Sequence, residues 1–189
     1  EWGLENKFIV FKEDKVYIKQ YQFVDNEGNK RERFLPFRAL TKFLNSEGAQ
    51  DLIGLELNSI FSFPKSVNMI KYLLKIVTDK NSIILDFFAG SGTTGHAVMQ
   101  LNAEDGGNRK FILVQIDEPI KEDNPAYNFC VENNLPPVIS SITIERLRRA
   151  GEKIKREIEE ENNKKGLFED NKKKIPDIGF KVYESERKI

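Results

Sequence analysis

Residues 82–102, SIILDFFAGSGTTGHAVMQLN, constrain this chain more than any other stretch. A short apolar run ends at Asp86, a glycine-rich turn follows from Phe88 to Gly95, and apolar residues then recur at helical spacing. A buried strand feeding a tight turn and a helix N-terminus is how α/β proteins build a nucleotide-type pocket. Glycine makes the turn possible because it tolerates positive φ and lets the backbone approach a ligand closely.

The flanking sequence supplies neighbours for that unit. Val67, Ile70, Leu73, Leu74 and Val77 follow helical spacing, with Ser66 as N-cap. This helix is expected to end near 79–81, where the strand into Asp86 begins. A helix over 94–101, a turn at 104–108 and a strand over 111–116 come next. That rhythm predicts a parallel sheet with crossover helices. Upstream, residues 7–24 alternate and are β-rich, with Glu13-Asp14 between the two halves, which predicts a hairpin. Residues 25–29 read as a turn, and 37–59 as weakly helical, then irregular, with Gly48 and Gly54 as breakers. Downstream, Asn124 caps a short helix with Pro125 at its first position, and Pro136-Pro137 stops it. Residues 141–161 form the longest helix candidate, with the stripe Ile144, Leu147, Ala150, Ile154 and Ile158. A charged linker over 162–174 and a short strand over 178–183 close the chain.

Gly90-Ser91-Gly92-Thr93-Thr94-Gly95 satisfies G-x-G-x-x-G, so a nicotinamide-dinucleotide site must be considered. Two features argue for a different ligand. A carboxylate at Asp86 is unhelpful beside a pyrophosphate but suits an ammonium group. Phe87 and Phe88 are bulky enough to wall an adenine or a thioether. S-Adenosylmethionine carries an ammonium, a sulfonium, an adenine and a ribose, and no phosphate. It also calls for a polar side chain after the next strand to hold the ribose hydroxyls, where Gln115, Asp117 and Glu118 stand.

At these residues the chain resembles a family. Asp86-Phe87-Phe88-Ala89-Gly90-Ser91-Gly92-Thr93-Thr94 looks like motif I of the β-class amino-methyltransferases that modify DNA, with its F-x-G-x-G core at Phe88, Gly90 and Gly92. Phe63-Pro64-Lys65-Ser66 resembles motif X, which lies just upstream of motif I in this class. The wording from His96 to Asn102, the 109–115 strand and the 177–182 segment look most like the modification (Mod) subunit of bacterial type III restriction–modification systems, which methylate adenine at N6. The resemblance covers residues 58–182 well and 1–57 loosely.

The resemblance implies a partial Rossmann-like α/β methyltransferase fold, with an N-terminal β-hairpin region and a C-terminal helical extension. It divides the chain into a β-rich tail of a target-recognition or connecting region (1–57), a core that binds S-adenosylmethionine (58–135), and a helical extension with a terminal strand (136–189). Phe63, Pro64, Lys65 and Ser66 would line the cofactor site. Asp86 would face the methionine ammonium, and Phe87, Phe88, Ala89, Gly90, Ser91, Gly92 and Thr93 would wrap the methionine and adenosine. The ribose position falls on Gln115, an uncharged departure from the family's acidic residue. Asp117, two residues on, points to the same side of a strand and could substitute. Implied partners are double-stranded DNA, a second Mod subunit and a restriction subunit. The family's catalytic D-P-P-Y motif, which presents the flipped adenine, is absent. Asn124-Pro125-Ala126-Tyr127 imitates it, but Lys121-Glu122-Asp123 before it reads as a helix cap rather than the end of a buried strand. Without a methionine at Glu1, the chain is expected to be a piece of a longer protein, catalytically incomplete alone. The alternative reading is a non-catalytic DNA- or protein-binding module.

Charge adds little. Thirty basic residues balance thirty acidic ones, so only local clusters such as Lys30-Arg31-Glu32-Arg33 or Arg146-Arg148-Arg149 could touch DNA; each also reads as a solvated face. The single cysteine, Cys130, cannot form an internal disulfide and fits a reducing, cytoplasmic setting. No apolar run reaches the roughly 20 residues a membrane span needs. His96, the only histidine, lacks companions for a metal site and is expected to pack within its helix.

Overall fold

The structure is a computed structural model that describes residues 9–12, 15–18, 43–164 and 172–185. The chain forms two compact units, Glu1–Thr41 and Lys42–Ile189.

In the first unit, β1 (Ile9–Lys12) and β2 (Lys15–Ile18) pair antiparallel in the register Ile9↔Ile18 to Lys12↔Lys15. This is the expected hairpin. Its turn at 13–14, the expected turn at 25–29 and the basic run at 30–33 lie outside the described residues.

The second unit is a mixed helix-and-sheet body. Helix α1 is Asn45–Ile53, α2 Val67–Val77, β3 Ile83–Asp86, α3 Thr93–Asp105, β4 Lys110–Leu113, α4 Pro125–Glu132 and α5 Ile139–Lys164. β3 and β4 pair in parallel from Ile83↔Lys110 to Asp86↔Leu113, with α3 as the connection. The caps read from sequence are in place. Ser66 Oγ accepts from Met69 N at 3.2 Å, and Asn124 Oδ1 accepts from Ala126 N at 3.0 Å.

Helix α3 is buried on most sides because it lies between layers, and its buried residues include the polar Thr93, His96 and Asn102. Ala97, Val98 and Leu101 pack with Val67 and Leu74 of α2 and Ile84 of β3. Met99 packs with Leu147, Ile154 and Ile158 of α5. Gly95 permits the close α3–α5 approach, since a Cβ there would stand 2.6 Å from Leu147 Cδ2. A third core joins Leu52 and Leu57 to Cys130 of α4 and Ile142 and Ala150 of α5. Burial pushes the Cys130 thiol above its ordinary pKa, as befits a packed residue. The other sheet face, Ile83, Leu85, Ile112, Val114 and Ile116, is exposed among the described residues. No helix among those residues is long and apolar enough to cross a membrane.

Four expectations need correction. The ladder of β4 stops at Leu113 rather than running to Ile116. β3 turns away after Asp86, and beyond the ladder the two segments are linked by two backbone bonds, Val114 N to Asp86 O at 2.8 Å and Ala89 N to Val114 O at 3.1 Å. Residues 178–183 form no strand. The Asp177 carboxylate accepts from Gly179 N and bends the chain there, while Ile178 and Phe180 pack on α5 and its neighbours. Gly48 does not break a helix but lies inside α1. Finally, α3 and α5 each run past their expected ends, and the buried stripe of α5 starts from Ile142 and Thr143 rather than Ile144.

Candidate functional site

The glycine turn stands at the C-terminal end of β3, where open parallel sheets place their ligands. Gly90 has φ +52° and Gly92 has φ +79°, conformations an L side chain resists. Gly92 is the N-cap of α3 and offers no side chain, so the helix's first amides are left for other partners. Asp86 closes the turn from below. Its Oδ1 accepts from Phe88 N at 3.0 Å and its Oδ2 from Thr94 Oγ1 at 2.6 Å. Gly92 N donates to Ala89 O at 2.8 Å, and Ala89 N donates to Val114 O at 3.1 Å.

Two further elements brace the loop. Gln115, just past β4, accepts from Gly90 N at 2.8 Å through Oε1. Helix α5 approaches from behind: Thr143 Oγ1 donates to Gly90 O at 2.5 Å, and Arg146 Nη1 donates to Ser91 Oγ at 2.7 Å and Thr93 Oγ1 at 2.8 Å. A Cβ on Gly92 would come within 3.2 Å of Thr143 O.

The 61–66 segment meets the turn through Phe61, whose ring lies 3.5 Å from where a Gly90 Cβ would be. α1 holds this segment. Glu47 Oε2 accepts from Ser66 Oγ at 2.6 Å, and Asp51 Oδ2 accepts from Val67 N at 2.8 Å. Pro64 and Ser66 are buried and Lys65 is exposed. Burial pushes the Asp51 carboxyl above its ordinary pKa, against the pull of the Val67 amide and the Arg146 charge. Three aromatic rings are left open to solvent: Phe63 at 84% exposure, Phe87 at 64% and Phe88 at 91%.

Comparison with known proteins places the chain in a family. The family model described as DNA methylase matches residues 5–127, well over half of the chain. The chain belongs to the DNA methylase family. Among its relatives, the Mod subunit of the type III restriction–modification enzyme StyLTI from Salmonella typhimurium is 37% identical over 143 residues, covering 74% of this chain and 19% of that protein. The EcoP15I Mod subunit of Escherichia coli is 38% identical over 185 residues, 95% of this chain and 22% of that protein. The type II methyltransferase M.KpnI of Klebsiella pneumoniae is 34% identical over 132 residues, 70% of this chain and 30% of that protein. The chain thus spans less than a third of the length of each of these relatives. The methyltransferase family, read from the two motifs, and the likeness to type III Mod subunits, read from residues 96–102, 109–115 and 177–182, are borne out.

Asp86 and the 88–93 loop form one continuous feature, which meets the 61–66 segment at Phe61. Gln115 and Asp117 part company. The Gln115 amide oxygen is committed to the loop, whereas Asp117 is exposed and accepts from Ser140 Oγ at 2.5 Å. Asn124 serves as a helix cap and Tyr127 packs on the α4 core, so the N-P-A-Y sequence is scaffold.

Arg146, Arg148 and Arg149, close together in the sequence of α5, do not share one face. Arg148 is exposed and pairs with Glu145 at 2.7 Å. Arg149 bonds Glu145 at 2.7 Å, Leu55 O at 3.1 Å and Glu56 O at 3.0 Å. Burial raises the Glu145 carboxyl, but these two guanidiniums outweigh it and hold the pKa below the ordinary value. Arg146 is fully buried under the glycine turn. Sequence reasoning missed it, with Thr143, Thr94, Phe61, Glu47 and Asp51. One signal was present: Ile142, Arg146 and Ala150 are four residues apart, which puts the arginine on an otherwise apolar helix face.

Proposed function

We propose that this chain is the S-adenosylmethionine-holding part of a Rossmann-like DNA adenine-N6 methyltransferase of the type III Mod kind. The observation that carries the reading is the Asp86 carboxylate beside the left-handed glycine turn at the end of a parallel strand. A carboxylate there repels a pyrophosphate and attracts an ammonium. The residues fit the cofactor in kind: Asp86 for the methionine ammonium, the 88–93 backbone for the methionine and adenosine, Phe63, Phe87 and Phe88 for apolar and ring surfaces, and Pro64, Lys65 and Ser66 for the wall opposite. Asp117 is the better candidate for the ribose hydroxyls, since Gln115 already supports the loop. When bound, S-adenosylmethionine supplies an electrophilic methyl group. The residues here bind and orient it, so that an incoming adenine amine meets the methyl in line.

Calorimetric titration of the chain with S-adenosylmethionine, its demethylated product and NAD tests this. Binding of the first two and not NAD is expected. Asp86→Asn should weaken that binding about ten-fold or more, the range of a lost charge-assisted hydrogen bond. Binding of NAD alone would overturn the reading.

The adenine-presenting D-P-P-Y motif does not occur in these 189 residues. In our reading the target base is presented by residues outside them, with double-stranded DNA, a second Mod subunit and a restriction subunit as partners of the whole protein. The chain alone is therefore expected to transfer no labelled methyl group from S-adenosylmethionine to DNA. Incorporation above a protein-free control would disprove this.

A further inference from the structure

We propose that Arg146 is a positioning residue for the glycine turn, so that α5 is a working part of the methyl-donor site rather than an appended helix. This rests on the cofactor reading above for its functional consequence, though not for its structural one.

Arg146 has 0% exposure, and its Nη1 bonds Ser91 Oγ and Thr93 Oγ1, the two hydroxyls on either side of Gly92. Among the described residues its Nε and Nη2 have no hydrogen-bond partner. Taking a guanidinium out of water is expensive, and a half-satisfied one more so. Replacing a buried ion by an apolar residue of similar volume is often neutral or stabilising, so burial alone gives no reason for an arginine here. What an apolar residue could not do is hold two hydroxyls in a loop whose glycines sit at φ +52° and +79°. Burial lowers the Arg146 pKa to about 10, with Asp51 opposing, so the group stays charged at neutral pH. Asp51 is the residue that holds Val67 N at the start of α2. The buried charge therefore stands between the two segments expected to wrap the cofactor. Thr143, one helical turn earlier, adds its bond to Gly90 O.

The test compares four forms of the full chain: wild type, Arg146→Met, Arg146→Lys and Ile158→Ala. Ile158 is buried on the same helix, three turns away, in the core cluster that includes Met99 and Ile154. Its truncation lowers stability without touching the loop. Amide hydrogen exchange over 88–95 is read first, under conditions that match global stability. Exchange at the loop is expected to quicken about ten-fold or more in Arg146→Met, to recover partly in Arg146→Lys, and to stay at the wild-type rate in Ile158→Ala. The S-adenosylmethionine dissociation constant should follow the same order. Equal loop exchange in Arg146→Met and Ile158→Ala would overturn the proposal. If Arg146→Met does not fold, the isosteric Thr143→Val takes its place; loop exchange unchanged in that variant would also overturn it. A wild-type chain that fails to bind S-adenosylmethionine while the exchange contrast holds would defeat the cofactor reading and leave the positioning role standing.

Discussion

Gly48→Ala is expected to lower Tm by about 4–8 °C, which corresponds to a loss of about 2 kcal/mol in a chain of this size. The residue lies inside α1, where alanine would ordinarily gain about 1 kcal/mol over glycine. Here the gain is overwhelmed. A Cβ at Gly48 would stand 2.0 Å from Pro64 O, 2.7 Å from Pro64 C and 2.9 Å from Lys65 C. All three are backbone atoms, which cannot rotate away as a side chain would, so the helix and the 64–66 segment must separate. Overpacking of that kind costs about 1–3 kcal/mol and sometimes more. The separation also strains the bonds from Ser66 Oγ to Glu47 and from Val67 N to Asp51, which flank Gly48. Gly54→Ala is the control. There the facing atom is Lys153 Nζ at 3.0 Å, the free end of a flexible side chain, and φ is −64°. That variant should stay within about 1 kcal/mol of wild type, the worth of its one Lys153 hydrogen bond to Gly54 O. Similar thermal shifts in the two variants would refute the close-packing argument. If S-adenosylmethionine binds as proposed, Gly48→Ala should also weaken it, because the segment it displaces carries Pro64, Lys65 and Ser66.

The contrast between Gly48 and the glycine turn marks where sequence reading succeeds. The turn at 90–95, the caps at Ser66 and Asn124, and the strand into Asp86 are local patterns. Their physics is settled within a few residues, and they appear where the spacing puts them. Gly48 resembled a helix breaker because its reason for being glycine lies at Pro64, sixteen positions away. Arg146 looked like one of three surface charges because its partners, Ser91 and Thr93, are more than fifty positions upstream. The end of β4 depends on where β3 turns away, and the course of residues 178–183 on their packing against α5; neither is written in the residues concerned. The glycine turn, its strand and the caps were thus legible, and the distant side chains that brace them were not.

His96 should make the fold sensitive to mild acid. Burial lowers its pKa from 6.5 to about 3, with the charges of Arg146 and Lys153 on α5 and Lys71 on α2 acting in the same direction. Its Nδ1 has no hydrogen-bond partner among the described residues. The unfolded chain takes up a proton on this imidazole near pH 6.5, and the folded chain does so only near pH 3. Stability is therefore full above pH 6.5 and falls as the pH drops below it. The slope is about 1.4 kcal/mol per unit, so about 2 kcal/mol is lost by pH 5. Other groups separate from this window by sign or position. Burial raises the carboxyls of Glu104, Asp105 and Glu145, but their cationic partners prevail and hold each below its ordinary value, so their contribution is lost only at lower pH. Asp51, with its pKa raised, works in the opposite direction and reduces the slope. Because the sequence contains one histidine, one substitution isolates the effect. Urea midpoints measured at pH 7.5, 6.5, 5.5 and 5.0 should fall progressively for wild type and stay nearly level for His96→Leu. Parallel acid limbs in the two proteins would mean that His96 is hydrated and free to protonate in the folded state, contrary to its burial on α3.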